Sequence, residues 1–218
     1  MKVKLVIFDM DGVVFDSEKV YFEANKMAAD QLGMKNYTLE YYQQFIGAGT
    51  EPMLAQMAKD YGSRELVDRF YVMSMENVYP IVEAGKLALK PGFKELTAYL
   101  DEQNIPYVIA SSNFRKDIEY YLEKTGISGK FAHIVSADDV THAKPSPEIF
   151  NKAWQKMGNV AKEESLVVED SINGVKAANN ADIPVIMVPD IIQPTEYEKE
   201  HTLAILPNLV AVKEFIAK

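Results

Sequence analysis

The stretch VKLVIFDMDGVVFDS, residues 3–17, decides the fold of this chain. Its apolar run Leu5–Phe8 contains no polar residue, which is typical of a strand buried on both faces of a parallel sheet. Asp9 follows at the point where this strand should end, and Gly12 permits the backbone to turn close to a ligand. We therefore predict a central strand that ends in acidic side chains at the sheet edge where open parallel sheets place ligands.

Two carboxylates, Asp9 and Asp11, should face one site because side chains alternate along an extended segment. A divalent cation on Asp9 would keep it ionised, while Asp11 would be free to donate or accept a proton. The pattern D-x-D-G is equally typical of a strand end followed by a turn, since Asp and Gly are ordinary turn residues. This motif alone leaves a catalytic and a structural interpretation open.

The composition limits the class of protein. A chain of 218 residues with 48% hydrophobic and 25% charged residues can form one large domain or two small ones. A net charge of −9 argues against a broad nucleic-acid surface, and the lack of cysteine excludes disulfides and thiolate chemistry. The apolar run before Asp9 is too short for a signal peptide or a membrane span. We expect a cytoplasmic protein with no nucleic-acid or membrane partner.

Residues 16–82 show helical spacing and no strand pattern. We predict a first helix capped by Ser17, two further helices that begin near Thr38 and Thr50, and a fourth that begins at Ser63. This pattern indicates a bundle of helices inserted after the first strand.

Beyond Pro91-Gly92, strands and helices alternate, which is typical of a doubly wound parallel sheet. The predicted strands are Tyr107–Ala110, His133–Val135, Leu166–Val168 and Val185–Val188, and the predicted helices are Phe93–Gln103, Arg115–Lys124, Pro147–Met157, Ser171–Asn180 and Leu209–Ile216. We therefore predict an α/β protein with a Rossmann-like core of residues 1–15 and 83–218. The helical bundle of residues 16–82 would be its second domain.

Polar clusters follow two of the later segments. Ser111, Ser112 and Asn113 come directly after a strand, where hydroxyls and helix amides form a phosphate cradle. The same residues also suit a plain helix N-cap. Lys144 is followed by Pro145, which disfavours a helical backbone at the lysine and suits a cation aimed at a phosphoryl oxygen. Most loop lysines are merely solvated, so this alternative stays open as well.

A further acidic pair, Glu169 and Asp170, ends another strand and could complete an oxygen-rich Mg²⁺ site. Asp170 or Ser171 could instead cap the following helix. Each cluster is a weak signal alone. Their joint occurrence, each at a strand end or in the loop before a helix, favours a catalytic site.

Four motifs carry a resemblance to a known family: FDMDGVVFDSE at 8–18, IASSN at 109–113, KPSPEIF at 144–150 and VVEDSINGV at 167–175. In this order the sequence resembles the haloacid dehalogenase superfamily of aspartate-nucleophile hydrolases. It is most similar to the branch of small-molecule phosphatases and β-phosphoglucomutase-like enzymes. The resemblance covers the Rossmann-like core, and it implies that the helical insertion is a cap domain.

The resemblance implies that Asp9 is the nucleophile and forms an aspartyl-phosphate. Asp11 would protonate the leaving oxygen and then activate water. It also implies that Mg²⁺ is bound by Asp9, by the backbone carbonyl of Asp11 and by Asp170, with Glu169 a ligand directly or through water. We expect a Mg²⁺-dependent phosphatase that acts on a small phosphorylated metabolite.

The remaining site residues follow from the same resemblance. Ser111 and Lys144 would bind the phosphoryl oxygens, with Ser112 in the same cradle. Asn113 and Glu18 would lie near the leaving group and contact the substrate.

Three alternatives remain at this point: a sugar phosphomutase, a dehalogenase, and, from another class, a phospho-accepting signalling or binding domain. Dehalogenases of the family generally lack an acid at the position of Asp11. Tyr21 and Thr50 stand where the mutase branch carries a histidine and a phosphate-gripping arginine. A neutral threonine cannot supply that charged contact, so we predict a phosphatase. Cap residues near Tyr21 and at 47–50 should choose the substrate.

Overall fold

The computed structural model describes residues 2–47, 49–158 and 160–218, so Ala48 of the predicted substrate-choosing segment lies outside the described residues. The chain forms two compact units, Met1–Asp16 with Ala88–Lys218, and Ser17–Leu87. Residues 83–87 belong to the helical unit because Gly85 and Lys86 donate backbone hydrogen bonds to Val82 and Ile81 at the end of its last helix. The interpretation of this unit as a cap stays a prediction.

The first unit contains a six-stranded, entirely parallel sheet with the order β3-β2-β1-β4-β5-β6. Its strands are β1 (Leu5–Phe8), β2 (Tyr107–Ala110), β3 (Ile134–Val135), β4 (Ser165–Glu169), β5 (Val185–Met187) and β6 (Ala204–Ile205). The predicted doubly wound α/β fold is confirmed. Because the chain winds outward in both directions from β1, the switch point of the topology, where such sheets bind ligands, lies at the carboxyl end of β1.

Ten α-helices occur in the described part of the chain. The helical unit contains α1 (Glu18–Gln31), α2 (Leu39–Gln43), α3 (Thr50–Tyr61) and α4 (Arg64–Glu83). The sheet unit contains α5 (Phe93–Glu102), α6 (Arg115–Lys124), α7 (Glu148–Lys156), α8 (Ile172–Asn180), α9 (Glu196–His201) and α10 (Leu209–Ile216), with short 3-10 helices at Ala137–Asp139 and Lys162–Glu164. None of the helices within the described ranges is long and apolar enough to cross a bilayer.

Strand β1 is fully buried because its side chains pack on both faces of the sheet. Leu5 and Ile7 belong to a core cluster with side chains of α7 and α8. On β1, Phe8 makes edge contacts with the rings of Phe93 and Phe131, at centroid distances of 6.1 Å. Burial of each such side chain contributes about 1.5–3 kcal/mol to stability, so the position of Asp9 after β1 is firmly fixed.

The structure corrects several details of the sequence prediction, and most of the predicted limits that differ are shifted by one residue. Ser17 occupies the N-cap position of α1 without a capping hydrogen bond, because its backbone is already helical rather than extended. Helix α7 begins at Glu148, one residue after the predicted start. Helix α9 and strand β6 were not predicted, since a polar six-residue helix and a two-residue strand carry too little hydrophobic periodicity.

Candidate active site

The loop after β1 is anchored to the neighbouring strand β4. The backbone amide of Asp9 donates to the carbonyl of Val168 at 3.0 Å, which continues the sheet pairing by one residue. The chain then turns at Gly12, whose φ of +72° lies in the region that favours glycine. A Cβ at residue 12 would lie 2.1 Å from Asp170 Oδ2. Gly12 is therefore required both by the turn and by the close approach of Asp170.

Lys144 lies between two carboxylates. Its Nζ is 2.5 Å from Asp9 Oδ1 and 2.6 Å from Glu169 Oε1, and the lysine side chain is only 7% exposed. Its ammonium also lies 4.8 Å from the centre of the Phe150 ring. The structure thus excludes the alternative that Lys144 is a solvated loop lysine.

Glu169 is bound on both of its carboxylate oxygens. Oε1 accepts from Lys144, and Oε2 accepts from the backbone amides of Asp170 and Ser171, each at 2.8 Å, and from the Ser171 hydroxyl at 3.0 Å. Gly174 makes room for this arrangement, since a Cβ there would lie 1.7 Å from Oε1. Glu169 is thereby fixed at the N-terminus of α8, where helix amides favour a carboxylate.

The buried charges perturb one another strongly. Burial raises the pKa of the Asp9 carboxyl from 3.8 to about 8, and Lys144 opposes this rise. Burial alone would lower the pKa of Lys144, but Asp9 and Glu169 raise it further, so its pKa lies above the usual range. Lys144 therefore stays charged, and the ionised form of Asp9 is favoured by Lys144 and opposed by burial.

The polar residues after β2 form a second connected group. Ser111 is 1% exposed, and its Oγ accepts from the backbone amide of Asn113 at 3.1 Å. The Asn113 side-chain amide donates to Asp11 Oδ2 at 2.9 Å. Ser111 is not a helix cap, since the N-cap of α6 is Phe114. Asn113 thus binds one of the two predicted catalytic aspartates.

The structure brings together most of the predicted site residues at the carboxyl edge of β1, β2 and β4: Asp9, Asp11, Ser111, Asn113, Lys144, Glu169 and Asp170. Ser112 is exposed in the same loop. Glu18 belongs to the helical unit, where its carboxylate accepts a hydrogen bond from the Tyr42 hydroxyl. The roles of Ser112 and Glu18 stay predictions.

Sequence reasoning missed the residues that hold the Lys144 loop. The Glu148 carboxylate accepts from the backbone amides of Thr141 and His142 at 3.0–3.1 Å. Asn180 donates to the carbonyl of Pro145 at 2.9 Å, and the Lys144–Pro145 peptide bond is cis. An acidic residue in the first turn of α7 was the available signal, because carboxylates are favoured at helix N-termini.

The donor set of this site fits a hard divalent cation. Asp9, Glu169 and Asp170 each offer a carboxylate oxygen, and these oxygens lie within 4.8 Å of one another. Mg²⁺ is usually bound through one or two protein carboxylates together with substrate phosphate and water. Since Glu169 already binds Lys144 and three donors of its own turn, Asp9 and Asp170 are the better direct ligands.

Comparison with known proteins decides the family. A family model described as haloacid dehalogenase-like hydrolase matches residues 6–188 of this chain. The chain belongs to the haloacid dehalogenase-like hydrolases. Membership in this family, together with relatives that are named as phosphatases, supports a phosphatase enzyme.

Three members of the haloacid dehalogenase-like family illustrate the similarity. A Drosophila melanogaster protein named probable pseudouridine-5'-phosphatase is 31% identical over 217 residues, 97% of this chain and 92% of that protein. A phosphorylated carbohydrates phosphatase from Thermotoga maritima is 29% identical, over 83% of this chain and 82% of its own. The crystal structure of a Thermotoga maritima protein provisionally named beta-phosphoglucomutase has a TM-score of 0.79 and 28% identity, covering 97% and 99% of the two chains.

The order of the sheet also argues against the signalling alternative. Receiver domains, which are phospho-accepting signalling domains, have the strand order 2-1-3-4-5. In this haloacid dehalogenase-like core, β1 instead lies between β2 and β4. The sheet therefore differs from a receiver domain in its topology, and family membership agrees with this difference.

Proposed function

We propose that this protein is a Mg²⁺-dependent phosphatase that hydrolyses a phosphate monoester of a small metabolite through an aspartyl-phosphate on Asp9. The observation that carries the proposal is the buried Lys144 ammonium between Asp9 and Glu169, with Asp170 packed against Gly12. Relatives named for pseudouridine 5'-phosphate and for phosphorylated carbohydrates support a small organic phosphate as the substrate class.

In the first step, a carboxylate oxygen of Asp9 attacks phosphorus. The bond from phosphorus to the leaving oxygen breaks, and that oxygen takes a proton from the Asp11 carboxyl group. In the second step, the Asp11 carboxylate removes a proton from water, whose oxygen attacks the phosphorus of the aspartyl-phosphate. The bond to Asp9 breaks, and inorganic phosphate and the Asp9 carboxylate are regenerated.

Lys144 supplies fixed positive charge for these steps. Its pairing with Glu169 holds the ammonium beside Asp9, where the phosphoryl oxygens must lie during transfer. A preorganised cation in a buried site stabilises the charge of the transition state without reorganisation. Ser111 is proposed to donate a hydrogen bond from its hydroxyl to the same phosphoryl group, because it directly follows β2, the strand adjacent to β1.

Asp9, Asp170 and the backbone carbonyl of Asp11 would hold Mg²⁺, and Glu169 would act through Lys144 or through water. When bound, the ion lowers the pKa of Asp9 and offsets repulsion between this acidic cluster and an anionic substrate. Burial, followed by the charges of Glu169 and Asp11, raises the pKa of Asp9, so a bound cation would favour the carboxylate form of this residue.

A sugar phosphomutase is the second candidate function, favoured by the likeness to the provisionally named beta-phosphoglucomutase. A mutase must bind a second, distal phosphate. Position 50, where the mutase branch is expected to carry an arginine, is the first residue of α3 and is a threonine. A threonine makes no charged bidentate contact with phosphate, so we prefer the phosphatase.

The test is turnover of a panel of phosphorylated sugars, nucleotides and polyols with Mg²⁺, in wild type and in Asp9→Asn. We expect phosphate release that falls by at least about 1,000-fold in Asp9→Asn and is abolished by a chelator. Retention of most activity in either case contradicts the proposal. Conversion of β-glucose 1-phosphate with a bisphosphate primer to glucose 6-phosphate, faster than release of free phosphate, would establish the mutase instead.

A further inference from the structure

We propose that Asn113 is a positioning residue that orients the Asp11 carboxyl group for proton transfer, rather than a contact for the substrate. This inference rests on the function proposed above, because it concerns the acid and base of that reaction.

The geometry shows which atom each group uses. Asn113 Nδ2 lies 2.9 Å from Asp11 Oδ2, a distance typical of a good N–H···O hydrogen bond. An amide N–H can only donate, so Oδ2 accepts from Asn113. In a neutral carboxyl group the carbonyl oxygen is the better acceptor, so this bond favours Oδ1 as the oxygen that carries the transferred proton. A carboxyl group that is held in this way presents one defined oxygen to the leaving group.

Asn113 itself is held from two sides, which makes it suited to position another residue. Its backbone amide donates to Ser111 Oγ at 3.1 Å, and its carbonyl accepts from the Ala137 amide at 2.9 Å. Ser111 is in turn buried, and its own amide donates to Val135 on β3. The side chain of Asn113 therefore starts from a backbone fixed to both β2 and the segment after β3.

The orientation of the Asp11 carboxyl group affects both proton transfers. As the bond between phosphorus and the leaving oxygen breaks, Asp11 Oδ1 gives its proton to that oxygen. The resulting carboxylate later takes a proton from the water that attacks the aspartyl-phosphate. Without the bond from Asn113, the carboxyl group loses one of the contacts that orient it, and the fraction of time in which Oδ1 faces the leaving oxygen falls. A poor leaving group, which must be protonated as it departs, depends most on this orientation.

The test compares Asn113→Ala with wild type on two substrates, an alkyl phosphate from the active panel and p-nitrophenyl phosphate. We expect kcat/KM for the alkyl phosphate to fall by about 10- to 100-fold, with KM nearly unchanged, because the hydrogen bond that orients the general acid is lost. For p-nitrophenyl phosphate, kcat/KM should change by less than about threefold, because p-nitrophenolate leaves without a proton. Slow hydrolysis of the phosphoenzyme should then appear as a burst of p-nitrophenol.

Two further variants serve as controls. Asn113→Asp keeps the size of the side chain but places an acceptor against Asp11, so we expect a loss on the alkyl phosphate at least as large as that of the alanine variant. On α8, Asn179→Ala removes a matched amide that donates to the His201 carbonyl at 3.1 Å, and it should leave both rates unchanged. Thermal unfolding of each variant reports whether the fold is intact.

The outcomes separate this inference from the proposed function. A raised KM with unchanged kcat, or equal loss of kcat/KM on both substrates by a folded Asn113→Ala, overturns the positioning role while the phosphatase proposal stands. Activity that survives in Asp9→Asn overturns the proposed function itself, and the inference with it.

Discussion

At the scale of single residues, adjacent carboxylates differ because their hydrogen-bond partners differ. Both oxygens of Glu169 accept hydrogen bonds from Lys144 and from the turn that begins α8. Asp170 instead packs against Gly12, with Oδ2 beside the turn that follows Asp9. The pair thus divides into a carboxylate that positions Lys144 and a carboxylate that is proposed to bind metal.

Gly12 gives the most specific residue-scale prediction. In Gly12→Ala the new Cβ would clash with Asp170, and the alanine would have to adopt a backbone φ of +72°, which is strained for any residue with a Cβ. We expect kcat/KM to fall by about 100-fold or more, because displacement of a catalytic group by about 1 Å has effects of that size. Magnesium affinity, measured by calorimetry, should fall as well.

The matched control is Gly126→Ala. Gly126 has the same φ of +72°, but nothing lies within 4 Å of the position that a Cβ would take there. This variant carries the same backbone strain, about 1 kcal/mol, without touching the site. Similar losses of activity in both variants would show that backbone strain, and not the approach of Asp170, explains the need for Gly12.

At the scale of elements, the segment after β3 braces the loop after β2. Asp139 Oδ2 accepts from the amide and hydroxyl of Ser136 and from Arg115 Nη2, at 2.8–2.9 Å. Within this turn, the amide of Ala137 holds the carbonyl of Asn113. This series of hydrogen bonds links the turn at Asp139, through Asn113, to the proposed acid and base, Asp11.

This turn predicts a pH-dependent stability. Burial raises the pKa of Asp139, but the hydrogen bonds from Ser136, with Lys156 and Arg115, lower it more, from 3.8 to about 2. A carboxyl whose pKa is depressed on folding stabilises the fold above its unfolded pKa, and this contribution disappears as the pH falls from 3.8 to about 2. Wild type should therefore exceed Asp139→Asn in unfolding free energy near neutral pH, and the gap should narrow below pH 3.8.

Urea unfolding of both proteins at several pH values measures this gap. If the difference in unfolding free energy between the two proteins stays constant as the pH falls through the acid range, the proposed role of the Asp139 carboxylate is contradicted. The comparison is restricted to conditions in which both proteins unfold in one cooperative transition, so that the free energies are defined.

At the scale of the whole molecule, the parts that the sequence predicted well are those with strong local signals. Strand β2 and helix α6 have the predicted limits, because buried strands and amphipathic helices repeat their pattern over several residues. The convergence of the clusters around Asp9 and Asp170 also followed from strand ends, since parallel strands present their carboxyl ends at one edge.

The contacts inside the site were beyond sequence reasoning. Asn113 and Asp11 are 102 residues apart, and their bond depends on a side-chain rotamer that no spacing rule specifies. The hydrogen bonds that Lys144 and Ser171 donate to the Glu169 carboxylate likewise depend on tertiary packing, and Gly174 leaves the space for them. Sequence patterns place residues on elements, whereas hydrogen-bond partners are decided by packing.

The central claim, a covalent phosphoenzyme on Asp9, is tested most directly in the Asp11→Asn variant. This change should permit attack by Asp9 on p-nitrophenyl phosphate but slow the hydrolysis of the intermediate, because the general base is lost. Acid quenching, borohydride reduction of the acyl phosphate and peptide mass spectrometry should then locate the modification on Asp9, at nearly one per active site. Release of p-nitrophenol over many turnovers without a modified Asp9, or a modification found on Ser111 instead, would contradict the account.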